Sequence, residues 1–134
     1  MEDRRMFALS SDDTEYLSNA FPHWETISGQ WLLIHDFPVC EGYTSKLVTA
    51  AIQIPTNYPA VPLDMVFFNP PLVRSDGQPI PRTEYTATID GLPFQRWSRH
   101  YRAGEWVPNE DNIATHVLAI SGWLERASAA QVTG

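Results

Sequence analysis

The chain has 134 residues, with 9 Lys and Arg against 16 Asp and Glu, a net charge of −7. That length fits one domain spanning 1–134, with a core expected over about 12–127, and a hydrophobic content of 43% excludes global disorder. The acidic balance argues against generic nucleic-acid binding, which needs Lys and Arg to neutralise phosphates, and favours protein or small-molecule partners.

The first predicted element is a helix over Ser11–Ala20. Ser10 or Ser11 can cap it, Asp12, Asp13 and Glu15 suit the positive end of the helix dipole, and Pro22 ends it. Strand formers then dominate Trp31–Phe37 and Leu47–Ile54, separated by the turn composition "PVCEGYTS", which predicts an antiparallel hairpin. A third strand is expected at Leu63–Phe68, bracketed by prolines that cannot donate to a ladder. The text from Val73 to Pro93 is polar and rich in Pro, Gly and Asp. It reads mostly as an ordered loop, with a possible short fourth strand at "EYTATI". The last element is a helix in which Ile113, Val117, Ile120, Leu124 and Ala127 make an apolar stripe, with Asn109 as cap and Glu110 and Asp111 in the first turn.

No apolar run approaches the roughly 20 residues of a bilayer span. The opening "MEDRRMFALSSDDTEYL" has acids where a secretory leader places its apolar stretch, so a cytoplasmic location is expected. Cys40 has no partner for an internal disulfide. His23, His35, His100 and His116 are scattered without zinc-like spacing, and no metal is expected.

One segment stands apart. "PFQRWSRHYRAGEWVPNEDN" places Arg96, Arg99, Arg102 and His100 around Ser98 in an otherwise acidic protein, with no acid until Glu105. In extended backbone Arg96, Ser98 and His100 share one face, and Trp97 and Arg99 the other. A serine needs a positioned base to act as a nucleophile, and neutral imidazole is the usual one near pH 7. The plainer reading of the same residues is a solvated serine in a basic docking face.

The order of elements, with "NYPAVP" (Tyr58, Pro59, Pro62) before the third strand and Trp106-x-Pro108 before the last helix, resembles the ubiquitin-conjugating (E2) superfamily. "YPAVPLDMVFFNPPL" and "FQRWSRH" followed by Trp106 and Pro108 resemble, more narrowly, the bacterial E2-like family E. The resemblance implies an α+β, UBC-like (E2) fold: N-terminal helix, four-stranded antiparallel meander, active-site loop and C-terminal helix, without the last two helices of typical E2 proteins.

It also implies a carrier that accepts a ubiquitin-like protein from an E1-like adenylating enzyme, with a JAB-type peptidase often encoded nearby. No cofactor is implied, because the ATP step belongs to the E1-like enzyme. The family's catalytic cysteine lies eight residues before the tryptophan, and here that position is Ser98. The His-Pro-Asn tripeptide that supplies the family's oxyanion-stabilising asparagine has no counterpart.

Ser98 would then hold the modifier as an oxyester, with His100 assisting proton transfer and Arg96 or Arg99 contacting the modifier tail or the oxyanion. Tyr58, Pro59, Pro62, Trp97, Trp106 and Pro108 would be scaffold. The alternative is a catalytically inactive E2-like module that binds the modifier or scaffolds the E1-like enzyme. A third reading is a small-molecule site at the loop between strands three and four. Cys40, in the predicted hairpin turn with no Lys, Arg or His beside it in sequence, reads as an incidental thiol.

Overall fold

The computed structural model describes residues 3–130. Two helices and six strands follow in the order α1 (Ser11–Ala20), β1 (Trp24–Ile27), β2 (Trp31–Pro38), β3 (Leu47–Gln53), β4 (Val66–Asn69), β5 (Thr86–Ile89), β6 (Leu92–Trp97) and α2 (Ile113–Ala127). All six strands join one sheet of order β1-β2-β3-β4-β6-β5, every neighbouring pair antiparallel. The expected four-stranded meander is therefore corrected to six strands, and β6 breaks the meander by inserting between β4 and β5.

α1 begins where its cap predicts: the Ser10 hydroxyl accepts from the Asp13 N–H at 3.1 Å. α2 starts later than expected. Asn112 is its cap, not Asn109, and a reciprocal box forms in which Asn112 Oδ1 accepts from the Thr115 N–H (3.1 Å) and Thr115 Oγ1 from the Asn112 N–H (2.9 Å). Asp111 spends its carboxylate on the preceding turn, accepting from the Val107 N–H at 2.7 Å.

The sheet has two apolar faces. Both helices cover one: Leu17 of α1 and Ile113, Val117, Ile120 and Leu124 of α2 pack with Leu32, Ile34, Ala50, Ile52, Val66, Phe68 and Trp97. On the other face Ile27, Leu33, Ala51, Phe67, Ile89 and Phe94 form a smaller cluster. Burial of the larger cluster is the main stabilising term, since apolar area removed from water contributes about 25 cal/mol per Å².

The edge strand β1 is covered by the N-terminal segment. The Met6 N–H donates to the Thr26 carbonyl (2.9 Å), and the Thr26 N–H to the Arg4 carbonyl (3.0 Å). Glu25, buried in this strand, is held by Arg4 (2.9 Å) and by His35 Nε2 (2.6 Å). The Arg4 guanidinium keeps its carboxyl down at about 2.

Among the described residues no helix is long and apolar enough to cross a membrane.

Candidate active site

The position of Ser98 follows from sheet register. Val66 of β4 pairs with Trp97, the last residue of β6, and the two segments continue side by side past that pair. The Met65 N–H donates to the Arg99 carbonyl at 3.1 Å, carrying the turn residue Asp64 alongside the segment just after β6. Ser98 thus leaves the end of an internal strand, where the expectation was a loop.

Three side chains meet there. Ser98 Oγ lies 3.1 Å from His100 Nε2, and His100 Nδ1 lies 2.7 Å from Asp64 Oδ1. With the proton on Nδ1 donated to the carboxylate, Nε2 is left as an acceptor for the serine hydroxyl. This is the connectivity of a serine nucleophile, a histidine base and an orienting carboxylate. Ser98 is partly buried and His100 exposed, so the pair faces solvent. Asp64 is the member that sequence reading missed: it lies 36 residues from His100 in the chain, and only the β4–β6 pairing reveals it.

The two segments bearing these groups are tied from beneath by α2. His116 is fully buried, its Nε2 donates to the Met65 carbonyl (2.9 Å), and its Nδ1 accepts from the Tyr101 hydroxyl (2.5 Å). One imidazole therefore contacts the residue after Asp64 and the residue after His100. Burial pushes its pKa down to about 4, which keeps it neutral at pH 7 and able to play both parts. Met65 itself sits at φ 56°, a left-handed conformation that costs a non-glycine residue about 1–3 kcal/mol and persists because these bonds hold it.

The scaffold residues tie loop to helices. Trp106 Nε1 donates to the Pro59 carbonyl at 3.0 Å. The Tyr58 hydroxyl donates to Asp13 Oδ2 (2.8 Å) and accepts from the Ile113 N–H (2.9 Å), so one residue of the "NYPAVP" turn touches both helices. Trp97 is fully buried and packs edge-on against Phe68 at 5.6 Å, which fixes the backbone immediately before Ser98. Pro62 and Pro108 are exposed, the latter in a turn.

The two arginines part company. Arg96 is paired across the sheet with Phe67 and so lies on the smaller-cluster face. Its guanidinium stacks 4.4 Å over Tyr85, and its buried Nε has no partner among the described residues. Among the described residues no hydrogen bond joins its side chain to Ser98 or His100, although the Arg96 and Ser98 N–H groups both donate to the neighbouring segment, at the Tyr85 and Arg82 carbonyls. Arg99 lies over Trp97 at 4.9 Å and donates to the Ser98 carbonyl at 3.2 Å.

Cys40 is half-buried in the β2–β3 connection, where burial and then Glu125 push its thiol pKa up. A thiol so placed is a poorer nucleophile than a free cysteine.

An α+β fold in which a serine, a histidine and a carboxylate meet at the end of a central strand is suited to accepting an acyl group. Against known families, residues 9–127 match the one described as prokaryotic E2 family E, and the chain belongs to that family. Neither a curated protein nor a solved structure matches it. Membership gives a role in ubiquitin-like conjugation, with a ubiquitin-like protein and an E1-like enzyme as the general kinds of partner.

Proposed function

We propose that this protein is a UBC-like, E2-type carrier of a ubiquitin-like protein, and that Ser98 receives the modifier as an oxyester. The observation that carries the reading is the Ser98–His100–Asp64 chain of contacts at 3.1 and 2.7 Å.

In the step proposed, Ser98 Oγ attacks the carbonyl carbon of the modifier's C-terminal thioester on the E1-like enzyme. His100 Nε2 takes the hydroxyl proton, and Asp64 stabilises the imidazolium that forms. The new C–O bond replaces the C–S bond, and the departing thiolate takes the proton back from the imidazolium. Arg99, whose guanidinium reaches the Ser98 carbonyl, contacts the modifier tail.

A second reading, an inactive module that binds the modifier or scaffolds the E1-like enzyme, draws on one observation. The Ser98 N–H already donates to the Arg82 carbonyl at 3.1 Å, so it is not free to stabilise an oxyanion.

The experiment combines the protein with the ubiquitin-like protein, E1-like enzyme and ATP. Carrier function predicts an adduct on Ser98 that survives thiol reductant and yields to hydroxylamine. Ser98→Ala abolishes it while partner binding persists, and Ser98→Cys makes it reductant-sensitive. If the E1-like enzyme is charged and no adduct forms, the carrier reading fails and the binding module stands. An adduct on Cys40 overturns the site assignment.

A further inference from the structure

On the helix side of the sheet a groove of about 740 Å³ runs between the C-terminal half of α2 and the segments 74–82 and 99–105. Arg74, Arg82, Arg99, Arg102 and Arg126 line it, beside Trp123. The chain has nine basic residues and a net charge of −7. Five of the nine converging on one groove make it a local exception to the acidic surface.

The charge is incompletely compensated. Arg74 pairs with Asp76 at 2.6 Å, and Glu105 accepts from the Arg102 backbone N–H. Among the described residues no carboxylate lies within 4 Å of the guanidinium of Arg82, Arg99 or Arg126. Burial holds the Arg99 pKa below its ordinary value, and the charges of Arg82 and Arg126 press in the same direction. Arg126 folds back over its own helix: a Cβ on Gly122 would stand 3.1 Å from Arg126 Nη1. A glycine inside a helix costs about 1 kcal/mol relative to alanine, and here the missing methyl leaves space for the guanidinium. Like charges gathered this way repel one another, and a bound anion relieves the repulsion.

We propose that this groove docks an acidic segment of a protein partner, its carboxylates pairing with the guanidiniums of Arg82 and Arg126 and with those flanking them. The form of the groove favours a peptide over a phosphate compound. The groove is open along its length and has no helix N-terminus to cradle phosphate oxygens. Separate arginines along an open channel match separate carboxylates along an extended chain. His100 and Arg99 also line the groove, so it adjoins the Ser98 site, but docking through Arg82 and Arg126 does not require that Ser98 be acylated.

The test is fluorescence anisotropy of a labelled glutamate-rich peptide and its glutamine counterpart, titrated with the full chain at two salt concentrations. The expected result is binding of the glutamate peptide only, weakened by salt. The double variant Arg82→Glu/Arg126→Glu, changed at two exposed positions and checked for fold by circular dichroism, loses about tenfold or more in affinity. Equal affinity in the variant, or equal binding of the glutamine peptide, overturns the proposal. Binding of ATP or inorganic phosphate without binding of the glutamate peptide also overturns it, in favour of a small-anion site.

Discussion

Replacing His116 by glutamine tests how the site is held together, and its size can be worked out in advance. The folded protein keeps this imidazole at about 4 against an ordinary value of 6.5, chiefly through burial. Because the folded value is the lower one, the unfolded chain binds the proton more readily between those limits. The neutral imidazole's contribution is therefore complete above pH 6.5 and is lost as pH falls toward 4. A gap of 2.5 units, from 6.5 less 4, amounts to about 3 kcal/mol. Glutamine does not titrate. Its amide can still donate toward the Met65 carbonyl, but the Tyr101 hydroxyl loses its acceptor, which costs about 1–3 kcal/mol at pH 7. Urea unfolding followed by tryptophan fluorescence at pH 7 and pH 4 should show the variant less stable at pH 7 by that amount. On acidification it should lose about 3 kcal/mol less than the parent, so that its deficit at pH 7 is closed or reversed by pH 4. Adding Tyr101→Phe should return part of the loss at pH 7, because the orphaned hydroxyl is then gone. Parallel pH dependence in parent and variant would refute the buried, neutral role assigned to His116.

Asp64→Asn removes the carboxylate that orients His100 while changing a side chain that is 47% exposed, so stability should hold. Single-turnover acyl transfer to Ser98 should slow about 10²–10⁴-fold, and an unchanged rate would remove Asp64 from the mechanism. Gly42→Ala should destabilise the fold by at least about 2 kcal/mol in urea unfolding. The residue sits at φ +106°, and an added Cβ would meet Ser128 Oγ at 1.9 Å and the Ala130 nitrogen at 2.7 Å. The Ser128 hydroxyl also donates to the Glu41 carbonyl, and unaltered stability would show that the β2–β3 connection does not pack against the end of α2.

Local signals in the sequence carried the helices and the first hairpin. The Ser10 cap, the run of strand formers in Trp31–Phe37 and the stripe from Ile113 to Leu124 each depend on neighbours a few residues apart. β1 is only four residues long, too short for alternation to emerge, and its buried Glu25 needs Arg4 and His35 to be understood. β6 was hidden by Pro93, which pairs with Thr88 of β5 but lies beyond the Gln95–Trp97 stretch that pairs with β4. A usable signal was present: Asp90 and Gly91, at φ 53° and 75°, form the two-residue Asp-Gly turn that marks a hairpin. Of the site, the nearness of Ser98 and His100 is a local matter of two residues. Nothing near Asp64 in sequence distinguishes it from the other acids, and the convergence of Arg82 and Arg126 is equally a product of tertiary packing.

Insertion of β6 between β4 and β5 also governs when the candidate site comes into being. A chain that has completed only β1 to β3 holds a serine with a nearby histidine but no carboxylate, since Asp64 joins them only once Val66 has met Trp97. That pairing is among the most distant contacts in the sheet, and closing the intervening chain makes such contacts slow to form. In the proposed carrier, competence to take an acyl group would thus come only with the cooperative closure of the sheet, so a nascent or half-folded copy would offer the partner no primed hydroxyl to react with.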